Sequence, residues 1–185
     1  TSFIKCFEFL PLPMFESTNS ENLKNPQPGL ENLLELGLNH VKEYTNMYLN
    51  NDLILINRIS NMLKQTNPEL PNSGLKETLK FVYDKHKHHW RDSQNPFLVH
   101  PFQAGYFAAF NQLSTDYVQA SLCHDVIDID KKNAKTHAYD IYKHFGKELE
   151  DKAWAMTLIE GNFDTQKDKV NAKFQKVQEY AEKAN

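Results

Sequence analysis

Ala120-Ser121-Leu122-Cys123-His124-Asp125-Val126-Ile127 is the stretch whose reading decides this fold. Tyr117, Val118, Ser121 and Leu122 recur before the His124-Asp125 pair at helical spacing, so an imidazole and a carboxylate end a helix that is otherwise mostly apolar. Burying such a pair costs free energy unless something neutralises it. A second histidine, His100, stands 24 residues upstream in Phe97-Leu98-Val99-His100-Pro101. Two imidazoles and a carboxylate form a mixed nitrogen and oxygen donor set that suits a divalent first-row metal. The plain alternatives are a helix-capping histidine at position 100 and a buried ion pair at the dyad.

Working outward, the pattern stays helical. Pro101 suits the first turn of a helix whose apolar stripe is Phe102, Tyr106, Ala109, Phe110 and Leu113. Ser114 is placed to cap the helix that carries the dyad. Upstream, Leu75, Leu79, Val82, His86 and His89 step by four and three, so two histidines extend an apolar stripe. Further helices are expected at Ala138–Phe145, Lys147–Leu158 and Asp168–Lys183. Before these, Leu30, Leu33, Leu34, Val41, Tyr44 and Tyr48 mark one helix, and Ile56, Ile59, Met62 and Leu63 mark another. Prolines and a glycine in Asn67–Gly74 predict a linker. Residues 1–28 read as an extended arm that breaks up in Ser17–Pro28. No alternating run is long enough for a sheet, so the expected fold class is all-α. The organisation is an N-terminal arm and helical extension over 1–74 and a second unit over 75–185. The first part serves either as extra core or as a lid or dimer surface.

Composition limits the partners. The 185 residues suit one domain with an extension. With 21 basic and 24 acidic side chains the formal net charge is −3, so no global field draws in nucleic acid or a membrane. Two cysteines, Cys6 and Cys123, are too few for a disulfide framework, which points to a reducing, cytoplasmic setting. Cys123 reads as a small packed residue rather than a nucleophile. The apolar opening Phe3–Phe15 is interrupted by Lys5, Glu8, Pro11 and Pro13, is too short to span a bilayer and lacks a signal-peptide layout. The first residue is Thr1, as in a processed or excised sequence.

Four blocks carry a family resemblance: Lys80-Phe81-Val82-Tyr83-Asp84-Lys85-His86-Lys87-His88-His89-Trp90-Arg91, Asn95-Pro96-Phe97-Leu98-Val99-His100-Pro101, Leu122-Cys123-His124-Asp125-Val126-Ile127-Asp128 and His144-Phe145-Gly146. In this order they resemble the HD-domain (p)ppGpp hydrolases, the hydrolase half of RelA/SpoT proteins and the small stand-alone alarmone hydrolases. The likeness runs from about Leu75 to Thr157; residues 1–74 resemble nothing we can name.

The resemblance implies an HD-type helical bundle and a metal-dependent phosphohydrolase that removes the 3′-pyrophosphate of guanosine tetra- or pentaphosphate. It assigns the metal, commonly Mn²⁺, to His100, His124 and Asp125. Asp128 stands where the family has a glutamate that assists proton transfer. One helical turn past His124, it shares the dyad's helix face. Arg91 matches the arginine that stacks on the guanine base, a role suited to a flat guanidinium; the alternative is a surface arginine pairing with Asp84 or Asp92. His86 matches a histidine near the site that is not assigned to the metal, and reads as a supporting or packed ring.

Departures are plain. Ile129 replaces a second acid, with Asp130 as a stand-in, and Asp92 replaces a basic residue. The resemblance implies a fourth metal ligand, which is either Glu182 or lacking from this sequence, through truncation or an incomplete site. These departures sustain a second reading, a catalytically degenerate HD module that binds a nucleotide or protein partner.

Overall fold

Helical spacing of apolar residues becomes helix throughout the computed structural model, which describes residues 28–91 and 95–157. The arm before Pro28, Cys6, Asp92, the helix expected at 168–183 and Glu182 lie outside these residues. Among the described residues the order is α1 (Pro28–Tyr48), α2 (Asp52–Thr66), α3 (Asn72–His86), α4 (Val99–Phe110), α5 (Thr115–Ile127), a 3₁₀ turn (Lys131–Asn133), α6 (Ala134–Phe145) and α7 (Lys147–Met156). They contain no strand, only an isolated antiparallel bridge between Trp90 and Pro96. The fold is an all-α bundle. No helix among the described residues is long and apolar enough to cross a membrane.

Helices α4 and α5 form the centre. α4 packs on α1, α2 and α5, and α5 packs on α3, α4, α6 and α7. α4 is buried almost all round rather than along one stripe, because few of its side chains are polar. The polar Gln103 is accommodated by donating from Nε2 to the Leu38 carbonyl of α1 at 2.8 Å. Leu55, Ile59 and Leu63 of α2 are fully buried, each contributing about 1.5–3 kcal/mol by transfer from water. They join Leu75, Leu79, Phe102 and Leu122 in one core that runs without a break across Gly74.

Two glycines set the helix separations. A Cβ on Gly105 would lie 2.5 Å from Cδ2 and 2.7 Å from Cγ of Leu122, so α4 and α5 touch backbone to side chain. A Cβ on Gly37 would overlap the Tyr106 ring, which lets α1 lie equally close on α4.

Several boundaries differ from expectation. The linker is shorter than Asn67–Gly74, because α3 starts at Asn72 behind Pro71 (φ −70°, ψ 145°). A proline's fixed φ suits the extended residue that precedes a helix. α3 then stops at His86, where the Lys87 N–H donates to the Tyr83 carbonyl at 2.8 Å. His89 therefore lies beyond the helix and is exposed, not on its buried stripe.

Ser114 does occupy the N-cap of α5, yet its side chain makes no capping bond. Its carbonyl instead receives the Val118 N–H at 3.1 Å. α6 begins at Ala134 rather than Ala138. The turn before it is held by Asp130, which accepts from the Lys132 N–H at 3.0 Å and from Asn133 Nδ2 at 2.7 Å. α7 ends at Met156, and Thr157 is extended.

Candidate metal centre

His100 is the second residue of α4, and His124 and Asp125 lie in the last turn of α5. The close approach at Gly105 brings these two helix ends together. One ligand atom from each of the three residues lies within 4.8 Å of the others, the grouping expected from the sequence. His100 Nε2 is 3.3 Å from Asp125 Oδ2, and His124 Nε2 is 3.0 Å from Asp125 Oδ1. The imidazoles meet at 5.3 Å between centroids, inclined by 68°. All three side chains are largely buried.

The tautomer of His124 carries the chemical argument. Its Nδ1 lies 2.6 Å from the Ser121 carbonyl, an acceptor only, so Nδ1 bears a proton and donates. In the neutral ring Nε2 then presents a lone pair towards the Asp125 carboxylate. Two acceptors at 3.0 Å repel unless a cation lies between them, either a proton or a metal. A backbone carbonyl that fixes the remote nitrogen is the usual support of a metal-bound histidine. The donor set fits a divalent first-row ion.

Burial works to raise the pKa of Asp125, but the rings of His124, His100 and His86 outweigh it and hold the carboxyl well below the usual range. Asp125 is therefore an anion at neutral pH.

Behind the triad lies His86, the last residue of α3, 1% exposed. Its ring stacks on Phe97 at 4.7 Å and 21°, and meets His89 edge-on at 5.8 Å. Among the described residues neither ring nitrogen has a hydrogen-bond partner. Burial pushes its pKa down to about 3, against the opposing pull of Asp125. The ring is thus neutral, and leaving a buried polar group unpaired costs about 1–3 kcal/mol.

Other expected residues lie outside the grouped ligand atoms. Asp128 is the C-cap of α5, with an exposed side chain and its N–H on the Asp125 carbonyl at 3.2 Å. It is not among the grouped ligand atoms. Ile129 packs against the core. Asp130 spends both carboxylate oxygens on the following turn.

Arg91 is exposed, beside the Trp90–Pro96 bridge, and its N–H donates to the Asn95 carbonyl at 3.1 Å. The bridge is also framed by the Phe97 N–H on the His89 carbonyl at 2.9 Å, which links Arg91 to the Phe97–His86 stack. Cys123 is fully buried, and burial pushes its thiol up in pKa, as a packed residue rather than a nucleophile requires.

Thr157 was not expected at the site. It is buried, and its Oγ1 lies 2.9 Å from the His124 carbonyl and 2.8 Å from that of Ala153. It fastens the end of α7 to the dyad. A hydroxyl 33 residues from its partner leaves no local sequence signal.

Comparison with protein-family models, curated proteins and solved structures gives no match.

Proposed function

We propose that the chain is a metal-dependent phosphohydrolase of the HD type, acting on the 3′-pyrophosphate of a guanine nucleotide such as ppGpp. Three donor atoms carry this reading: an imidazole nitrogen from His100, another from His124 and an Asp125 oxygen, all within 4.8 Å. A divalent ion, Mn²⁺ by the family resemblance, supplies an acidified water and polarises a phosphoryl oxygen.

His124 presents Nε2 because Ser121 holds Nδ1, and Asp125 supplies the negative charge. Asp128, one turn beyond His124 and open to solvent, exchanges the proton. Arg91, on the exposed bridge segment, offers its guanidinium face to the guanine base.

The test pairs metal analysis of the purified chain with pyrophosphate release from ppGpp in Mn²⁺. One Mn²⁺ per chain is expected, lost in His124→Ala and in Asp125→Asn. Release is expected to fall by about 10²–10⁴-fold in Asp128→Asn, with metal content unchanged. Mn²⁺ content that persists in His124→Ala refutes the site.

A second reading is favoured by Ile129, an apolar residue packed against the core where the family has a second acid. It is a metal-holding HD module that binds guanine nucleotide through Arg91 without turnover. Nucleotide binding with no pyrophosphate release in Mn²⁺ selects it.

A further inference from the structure

We infer that His86 is a positioning residue of the metal centre, whose ring hydrogen-bonds a water of the ion held by His100, His124 and Asp125. The inference rests on the metal-centre reading above and goes beyond it, because His86 belongs to a different helix and is not among the grouped ligand atoms.

Geometry and chemistry agree on this role. The ring is 1% exposed, clamped face-to-face on Phe97, and both of its nitrogens lack a partner among the described residues. A histidine kept only for packing would be better served by an apolar ring of similar shape, since Phe97 already provides an aromatic stack. The groups whose charge reaches the ring are Asp125, His89, His124 and His100, three of which form the triad. His89 touches it edge-on but makes no hydrogen bond to it.

A neutral imidazole has one donor and one acceptor to satisfy. The nearby chemistry that can satisfy them is oxygen at the metal centre. Direct ligation is disfavoured, because the His86 nitrogens are not among the atoms within 4.8 Å of one another. A water held by the ion is therefore the partner assigned to the ring.

The experiment measures Mn²⁺ affinity of the full chain, without nucleotide, in wild type, His86→Phe and His86→Gln, with helix content followed by circular dichroism. His86→Phe keeps the stack and removes both nitrogens; Gln restores a donor and an acceptor. Loss of an outer partner of a metal centre typically costs about 10–100-fold in affinity. His86→Phe is therefore expected to bind Mn²⁺ at least about 10-fold more weakly with helix content unchanged, and Gln to recover most of the loss. If wild type binds Mn²⁺ and His86→Phe binds it equally well, the His86 proposal fails while the metal centre stands. If wild type binds none, the metal centre fails and the proposal with it.

Should the Phe variant not fold, nitrogen-15 spectra of wild type decide. Loading with Zn²⁺ is expected to produce a slowly exchanging His86 ring N–H signal. An unchanged His86 ring overturns the proposal.

Discussion

Replacing Gly105 by alanine probes the contact that brings the two halves of the site together. The new Cβ would lie 2.5 Å from Leu122 Cδ2 and 2.7 Å from Leu122 Cγ, where carbon atoms prefer about 3.5–4.0 Å. Leu122 is fully buried, and the branch carbon itself is hit, so rotating the end of the side chain does not relieve the overlap. Overpacking of this kind costs about 1–3 kcal/mol, and two close contacts argue for the upper end. Alanine returns about 1 kcal/mol of helix propensity over glycine. The net is a loss of about 2 kcal/mol, a large fraction of the roughly 5–15 kcal/mol that holds a domain together.

Urea unfolding at pH 7 in chelator, followed by far-ultraviolet circular dichroism, measures it. Leu122→Ala alone should cost about 2–5 kcal/mol for its cavity. In the double variant the new methyl occupies space that Leu122 has left. The double should therefore be at least about 1 kcal/mol more stable than the sum of the singles predicts. A Gly105→Ala protein as stable as wild type, or additivity of the two changes, would refute the close packing of α4 on α5.

Three further outcomes are expected. His86 titrates near 6.5 in the unfolded chain and about 3 in the folded one, so below pH 6.5 the unfolded state binds the extra proton and stability falls with pH. For the metal-free protein the loss is about 2 kcal/mol between pH 7 and pH 5. His86→Phe should remove it, and an identical pH dependence in that variant contradicts the buried neutral ring. Asp125 acts in the same direction at lower pH, since its carboxyl is held below the usual range and its contribution is lost as it is protonated. Thr157→Val keeps the shape but strips a hydroxyl from the His124 and Ala153 carbonyls. Thermal or urea unfolding should show a loss of about 1–3 kcal/mol, and no change would mean that the hydroxyl does not bind the end of α7 to the dyad. Asp125→Asn should fold, because the amide can still pair with its neighbours, but it should hold no Mn²⁺ on metal analysis.

Local pattern alone determined the helical class and the succession of helices. His100 and His124-Asp125 were grouped by their donor chemistry and the family resemblance, whereas the helices depend on spacing within a turn or two, which apolar periodicity records. Even there, ends were displaced: α3 stops at His86 and leaves His89 exposed, and α6 starts four residues early on a turn held by Asp130. Caps and turn bonds involve only a residue or two and leave little periodic trace.

Only the tertiary structure decided which polar groups share one space. The Ser121 carbonyl that sets the His124 tautomer belongs to the backbone, which every residue type possesses. Thr157 reaches that histidine's carbonyl from another helix end, and His86 is stripped of partners by burial that α3 and Phe97 create jointly. Helix faces follow from one chain's repeat, whereas desolvation and the direction of a lone pair depend on what other segments bring to the same volume.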